Sequence, residues 1–402
     1  MGKAALIAGG GIGGLAAAFA LGRAGWGVQL FERAAEFSEV GAGIQMGPNV
    51  TRVLHGWGLA DALARVAAFP SHLQVRNASS GRELGVLPLG DTARQRYGAP
   101  YATIHRADIL GLLLQAVKQQ ATAGLHLDCE LTGFIQNGQR VLVRPREGAS
   151  IEGDLLVGAD GLWSPLRHWL LNDGPPRVTG HLAYRALVSQ AALPERLRSQ
   201  QVTVWLGPRL HVVQYPVRRG EWLNVVAIVQ DGGNSKAASD PTNWDQNATA
   251  AGLRTSLAGT CAALQDVINA VDGWRLWALC DRNPMVGAHE HFSGRVVLVG
   301  DAAHPMRPYL AQGAGMAIED AAELERVMLS QPGVDDVSTA LSQFAHARWQ
   351  RNARVQARSI RNGEIFHASG LMRWGRDVSL GLLGERLLDL PWLYRGQDGD
   401  LL

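Results

Sequence analysis

Near its start the chain has a stretch in which polar residues almost vanish. "LIAGGGIGGLAAAFALGRAG", from Leu6 to Gly25, holds no acid and one base, Arg23. Its length suits a membrane span or the core of a secretory signal. Its centre argues against both, because Gly9, Gly10, Gly11, Gly13 and Gly14 stand where such a helix takes leucine. The pattern predicts three parts: "KAALIAG" a buried strand, the glycines a turn, and "LAAAFALGRAG" a helix closed by Gly25. "GVQLFER" predicts a second strand ending in Glu32. "DLLVGADG" and "GRVVLVGD" are two more apolar runs of strand length, ending in Asp160-Gly161 and Gly300-Asp301. Between about Val178 and Trp274 the texture changes. "HLAYRALVS", "VTVWLG", "HVVQYPV" and "WLNVVAIVQ" are β-branched and aromatic, punctuated by Gly and Pro, and predict antiparallel strands of a second layer.

Composition narrows the class. A chain of 402 residues with 47% hydrophobic and 18% charged residues predicts a soluble globular protein with a large core, in two domains or one with an insertion. The formal net charge of +2 supplies no bulk field for nucleic acid. Cys129, Cys261 and Cys280 are far apart, which excludes a disulfide framework and a cysteine-based zinc site; no metal site is expected, and a reducing cytoplasm is.

Gly9, Gly11 and Gly14 make a G-x-G-x-x-G between strand and helix. The first glycine permits the tight turn, the second lets backbone approach a diphosphate, and the third lets helix pack on strand. The helix N-terminus adds partial positive charge. Glu32, eighteen residues beyond Gly14, is placed to accept hydrogen bonds from a ribose diol. A carboxylate at the edge of a parallel strand, as predicted for Asp301, lies where such sheets bind ligands. A helix opening at Gln312-Gly313 would aim its amides at an anion. For Asp160 a turn or N-cap role stands beside a ligand role.

With G-x-G-x-x-G, Asp160-Gly161 and Gly300-Asp301 in this order, the chain resembles the single-component FAD-dependent aromatic hydroxylases, the family of 4-hydroxybenzoate hydroxylase, over nearly its whole length. The resemblance implies an α/β fold: a Rossmann-like FAD-binding domain, an inserted and mainly antiparallel β-sheet substrate domain, and C-terminal helices. It implies tightly bound, non-covalent FAD, NADH or NADPH as transient reductant, and O2 activated as a flavin C4a-hydroperoxide. Asp301 would hold the ribityl chain, Asp160 would lie near the pyrophosphate, and Arg106 would approach the flavin. Ile12, Arg33, Gln45, Pro308, Gln312, Gly313 and Ala314 complete the implied cofactor set. "GAGIQM" and "GAGMAI" both fail as a second G-x-G-x-x-G, so no separate nicotinamide domain is expected. The boundaries predicted are 1–75, 97–177 and 275–340 for FAD, 76–96 and 178–274 for substrate, and 341–402 for the helical segment.

His211 and Tyr215 in "RLHVVQYPV" are four apart, which on a strand puts both on one face with Val213 between them. An imidazole beside a phenol can relay a proton; ordinary sheet packing accounts for the spacing too. The resemblance favours the first, since 3-hydroxybenzoate 6-hydroxylases carry His and Tyr at this spacing. Tyr215 would orient a phenolic aromatic acid and His211 take its proton, with Gln45 and Pro308 at the substrate as well. His304 reads as structural.

"GAGIQMGPN", "YATIHRADIL" and "GPRLHVVQYPV" resemble the 3-hydroxybenzoate 6-hydroxylases, which implies gentisate as product. Pro308 departs from the Gln often found there and looks more like salicylate 1-hydroxylases and 6-hydroxynicotinate 3-hydroxylases. A flavin oxidase, a dehydrogenase or a non-catalytic flavin-binding module are the readings of other classes. Arg307, Arg185 and Arg209 are candidates for a substrate carboxylate, without a spacing argument for any. Arg348, Arg351, Arg354, Arg358 and Arg361 share one helix face, expected to be solvated and paired with acids. "RLLDLPWLY" is expected to dock on the body or on the second subunit of a homodimer.

Overall fold

The computed structural model describes residues 3–38, 42–231, 240–243, 246–330 and 337–396. It forms two compact units: Met1–Glu39, Ala107–Arg177 and Asp281–Ser359 make one, and Val40–Arg106, Val178–Cys280 and Ile360–Leu402 the other.

The first unit is built on a six-stranded sheet in the order Phe292–Ser293, Val296–Leu298, Leu155–Gly158, Ala4–Ala8, Gly27–Phe31, Ala123–His126. All neighbours are parallel except the first pair. Parallel strands are covered on both faces and read as unbroken apolar runs; Ala5, Leu6, Ile7, Leu155, Leu156 and Val157 are fully buried accordingly. The opening run is therefore strand, turn and helix. The helix Ile12–Arg23 is buried along most of its length from Leu15 to Leu21, as a helix apolar all round must be. It packs on helix Gly313–Ser330, where a Cβ on Gly13 would come within 3.3 Å of the Ala317 methyl. Strand two ends at Phe31, one residue before Glu32. Among the described residues no helix is long and apolar enough to cross a membrane.

The second unit holds an eight-stranded sheet in the order Gln246–Ala248, Trp274–Asp281, Arg177–Ser189, Trp222–Gln230, Leu210–Val217, Val202–Gly207, His72–Asn77, Glu83–Pro88. The four runs expected to be strands all are, and three antiparallel pairings join them. His72–Asn77 runs parallel to Val202–Gly207, a pairing the local pattern did not announce. One face carries Leu182, Tyr184, Leu210, Val212, Val225 and Ala227, packed with Leu253, Leu264 and Ile268 of two short helices. Register then fixes the opposite face, because directly paired residues share a side. Tyr215 lies opposite Asn224, Val213 opposite Val226, and Val226 opposite Arg185.

One boundary between the units falls at 177/178. Residues 40–75 and 97–106 belong with the second unit because Gly43–Met46 pairs with Ala102–His105 and His72–Asn77 joins the large sheet. Helix Val337–Phe366 is divided between the units, so 341–402 is not a segment apart.

Candidate active site

In the first unit the glycines leave space where a diphosphate needs it and close it elsewhere. Gly9 has φ +102°, and a Cβ there would lie 2.4 Å from the Ala159 carbonyl oxygen. A Cβ on Gly14 would lie 1.9 Å from the Gly9 oxygen, so strand and helix touch backbone to backbone. Gly11 differs: nothing lies within 4 Å of its added Cβ. Gly11 caps the helix in extended conformation with no side chain on the exposed amides, and Ile12 opens a first turn free of acids. That is an anion site, and the donor set fits the diphosphate of FAD.

Glu32 accepts from the Gly10 amide at 2.6 Å and the Ala34 amide at 2.8 Å. It ties the strand end to the glycine loop, while its oxygens keep lone pairs for a ribose. Arg33 beside it is exposed. Asp160 accepts from Ser164 Oγ at 2.5 Å and the Leu166 amide at 3.1 Å, and so braces the start of helix Pro165–Leu171. Burial raises its pKa against these hydrogen bonds. This is the turn role that spacing had left open.

Asp301 stands exposed on the turn Gly300–Ala302, with its Oδ1 at 3.8 Å from a Cβ added to Gly313. Pro308 is exposed, Gly313 and Ala314 are half-buried, and Gln312 is buried before a helix with no acid in its first turn. Ala311 adopts φ +52° to bring the chain into that helix. A buried polar cluster holds the turn from behind. Asp320 accepts from the Gly300 amide at 3.0 Å, His304 Nε2 at 2.5 Å and Arg348 Nε at 2.8 Å. Arg348 also reaches Glu319, which Arg351 shares. The arginine stripe is thus no uniform solvated face: Arg348 is fully buried, whereas Arg354 and Arg361 are exposed. Two adjacent acids inside an apolar helix, "AIEDA", were the available signal.

In the second unit His211 and Tyr215 are buried on one face of strand Leu210–Val217. Tyr215 packs against Gly43, where a Cβ would meet its ring at 2.6 Å, and the Gly43 amide donates to Asn224 Oδ1 at 2.7 Å. Burial lifts the Tyr215 pKa well above its ordinary value against the nearby Arg106 charge, so the phenol stays protonated. His211 Nδ1 lies 2.8 Å from His367 Nε2. Burial first, then the repulsion a proton on His211 would meet from one on His367 or His181, hold its pKa well below 6.5, so it stays neutral. Gln45 accepts from Tyr101 OH at 2.7 Å, and Arg106 donates its amide to Ala42 before opening helix Arg106–Lys118. Of the three carboxylate candidates, Arg307 is paired with Asp281 and Arg209 is exposed on a turn. Arg185 is buried on the face of His211 and Tyr215, its guanidinium 4.7 Å from the Trp277 ring centre. Sequence reading missed His367, His181, Asn224, Gly43 and Tyr101, which periodicity does not link to His211. The apolar tail seats Tyr394 edge-on against Tyr97 and Tyr101.

The FAD binding domain family matches residues 3–359. A 3-hydroxybenzoate 6-hydroxylase of Polaromonas naphthalenivorans is 36% identical over 400 residues, 99% of this chain and 97% of that one. A 3-hydroxybenzoate 6-hydroxylase 1 of Aquipseudomonas alcaligenes is 38% identical, covering 91% of this chain and 90% of its own. Among solved structures, a salicylate hydroxylase substrate complex superposes with a TM-score of 0.82 at 26% identity, over 98% of this chain and 95% of that one. A glycine cradle that fits a diphosphate and relatives matched almost end to end place this chain in the FAD binding domain family, as a flavin-dependent aromatic hydroxylase.

Proposed function

We propose that this enzyme converts 3-hydroxybenzoate to gentisate: 3-hydroxybenzoate, NADH, O2 and a proton give gentisate, NAD+ and water. The observation that carries the reading is the pairing of a neutral His211 with a protonated Tyr215 on one buried sheet face. FAD, when bound, supplies the redox chemistry, carrying two electrons from NADH to O2 and furnishing an electrophilic oxygen. Gly9, Gly11, Ile12 and Gly14 would hold its diphosphate, Glu32 its ribose, and Asp301, Gln312, Gly313 and Ala314 its remaining polar edge.

The second unit prepares the ring. Electrophilic attack needs an electron-rich carbon, so the phenol must become a phenolate. Tyr215 donates a hydrogen bond to the substrate oxygen, and His211 accepts the phenolic proton. Arg185, a cation buried on this face, would lie beside the carboxylate. The apolar neighbours Val213, Val226 and Ile228 keep water from the ring. Cytoplasmic residence, where NADH is supplied, goes with this reading.

Salicylate 1-hydroxylation is the second reading, favoured by Pro308 and by the salicylate hydroxylase likeness. One assay decides. The FAD-loaded enzyme is given NADH, 18O2 and, in separate runs, 3-hydroxybenzoate, salicylate and 6-hydroxynicotinate. The expected result is gentisate with one 18O, formed with NADH consumption. Catechol and CO2 from salicylate alone would move the assignment. Hydrogen peroxide equal to NADH with every acid would refute hydroxylation of these compounds.

A further inference from the structure

We infer that His367 is the second station of a proton relay, taking a proton from His211 Nδ1 as His211 Nε2 takes the substrate's. The inference rests on the reading that His211 is the base, and it answers a difficulty in that reading. A phenol of pKa about 10 facing an imidazole below its usual 6.5 is more than about three pK units from transfer, over a thousandfold against phenolate. His211 cannot remedy this alone, because it is buried and has no solvent at hand to take the proton.

The geometry supplies the outlet. The two imidazoles meet nitrogen to nitrogen at 2.8 Å, so one donates and the other accepts. With the proton on His211 Nδ1, His367 Nε2 is the acceptor. The substrate O–H bond then breaks as His211 Nε2–H forms, and the Nδ1–H bond breaks as His367 Nε2–H forms. No electrons change owner. A phenolate and a His367 imidazolium result, separated by a neutral His211.

His367 is better placed than His211 to carry that charge. It directly follows helix Val337–Phe366, and its amide bonds the Gly363 carbonyl at 3.2 Å. The negative end of a helix favours a cation, by about two- to thirtyfold in protonation. Among the described residues the groups facing it include His211 from its strand and His181 from strand Arg177–Ser189, whose ring lies edge-on at 5.1 Å. From helix Gly370–Leu383, Arg376 binds the Ile365 and Phe366 carbonyls and is itself neutralised by Asp377 at 2.7 Å. Arg376 weakens the helix-end effect, and Asp377 offsets its charge. The His367 carbonyl accepts from the Arg209 amide at 3.0 Å, a backbone anchor that side-chain variants keep.

The test uses FAD-loaded enzyme without oxygen, titrating bound 3-hydroxybenzoate by its phenolate absorbance across pH. His367→Gln keeps a hydrogen-bonding side chain but cannot become a cation. Its bound phenol should titrate at least one unit higher, a tenfold loss of phenolate at fixed pH, while benzoate affinity changes less than about threefold. His211→Gln should shift the titration further. A shift in His211→Gln with none in His367→Gln overturns the relay and leaves the base standing. No shift in either overturns both. Should His367→Gln fail to fold or to retain FAD, the parent enzyme decides through its deprotonation rate in H2O–D2O mixtures. Two protons in flight give a curved dependence on deuterium fraction, and a straight line refutes the relay.

Discussion

Replacing Asp320 by Asn tests whether the cofactor turn is held electrostatically. The variant is nearly isosteric, so packing is kept and one charge is removed. In the parent, Arg348 and Arg351 face Asp320 and Glu319, two charges of each sign, with Arg348 and Asp320 fully buried. Asp320→Asn removes one of the two negative charges that Arg348 and Arg351 face. Breaking a buried pair by removing one partner costs about 3–5 kcal/mol. At roughly 2–4 °C per kcal/mol for a body of this size, the melting temperature should drop by roughly 6–20 °C. FAD affinity should fall by about tenfold as the Gly300 amide loses a charged acceptor, about 1.4 kcal/mol. The pH dependence carries its own signature. Burial alone would raise the Asp320 pKa, but the charges of His304 and Arg348 and the His304 hydrogen bond outweigh it, and the carboxyl sits well below its usual range. A depressed folded-state pKa gives stability that is present above about pH 4 and lost as pH falls below it. That part of the acid sensitivity should vanish in Asp320→Asn. Calorimetry of FAD-free and FAD-loaded protein from pH 3 to 8 reads all three effects. A variant melting within about 2 °C of the parent, with the same acid profile, refutes electrostatic support of the turn.

The glycine cradle predicts opposite outcomes for two similar changes. Gly14→Ala drives a methyl into the Gly9 carbonyl at 1.9 Å and should unfold or severely destabilise the first unit. Gly11→Ala meets no protein atom within 4 Å, so it should fold with near-parental melting when FAD-free yet bind FAD far more weakly by fluorescence titration. Equal behaviour of the two would remove the diphosphate from Gly11. Arg185→Gln should raise the KM for 3-hydroxybenzoate at least about tenfold, the lower end for a lost charge-assisted hydrogen bond. Binding of unsubstituted phenol, measured by flavin difference spectra, should hardly change; equal losses for both ligands would make Arg185 a support for Trp277 instead.

What sequence made legible follows from range. Gly9, Gly11 and Gly14 act on backbone within a few residues, and strand runs such as "HVVQYPV" announce themselves by local alternation. His211 and Tyr215 shared a face for the same reason. His367 lies 156 residues from His211, and only the return of the chain after helix Val337–Phe366 brings their rings together. Arg348 was misread because a helical stripe of arginines predicts a common face, while burial varies along its length. Asp160 shows the converse: a motif aspartate can be recognised while its local work, capping a helix, stays hidden until Ser164 and Leu166 are placed.

On the proposed reading, charge balance on the sheet face of His211 and Tyr215 bears on specificity. The side chains there alternate as His181, Ala183, Arg185 and Leu187 on one strand, His211, Val213 and Tyr215 on the second, and Asn224, Val226 and Ile228 on the third. Arg185 is a buried cation in that set, while His211 is held unprotonated and Tyr215 un-ionised. On the proposed reading a phenolic acid enters as a monoanion whose carboxylate lies beside Arg185. Ionising its hydroxyl adds a second negative charge, and the side chains named on these three strands, which include no acid, tolerate it best if the released proton stays near as a cation. A monocarboxylate phenol satisfies both steps. On the proposed reading a dicarboxylate would bring one more negative charge to these side chains before chemistry began, which disfavours it against a ligand with one carboxylate beside one ionisable hydroxyl.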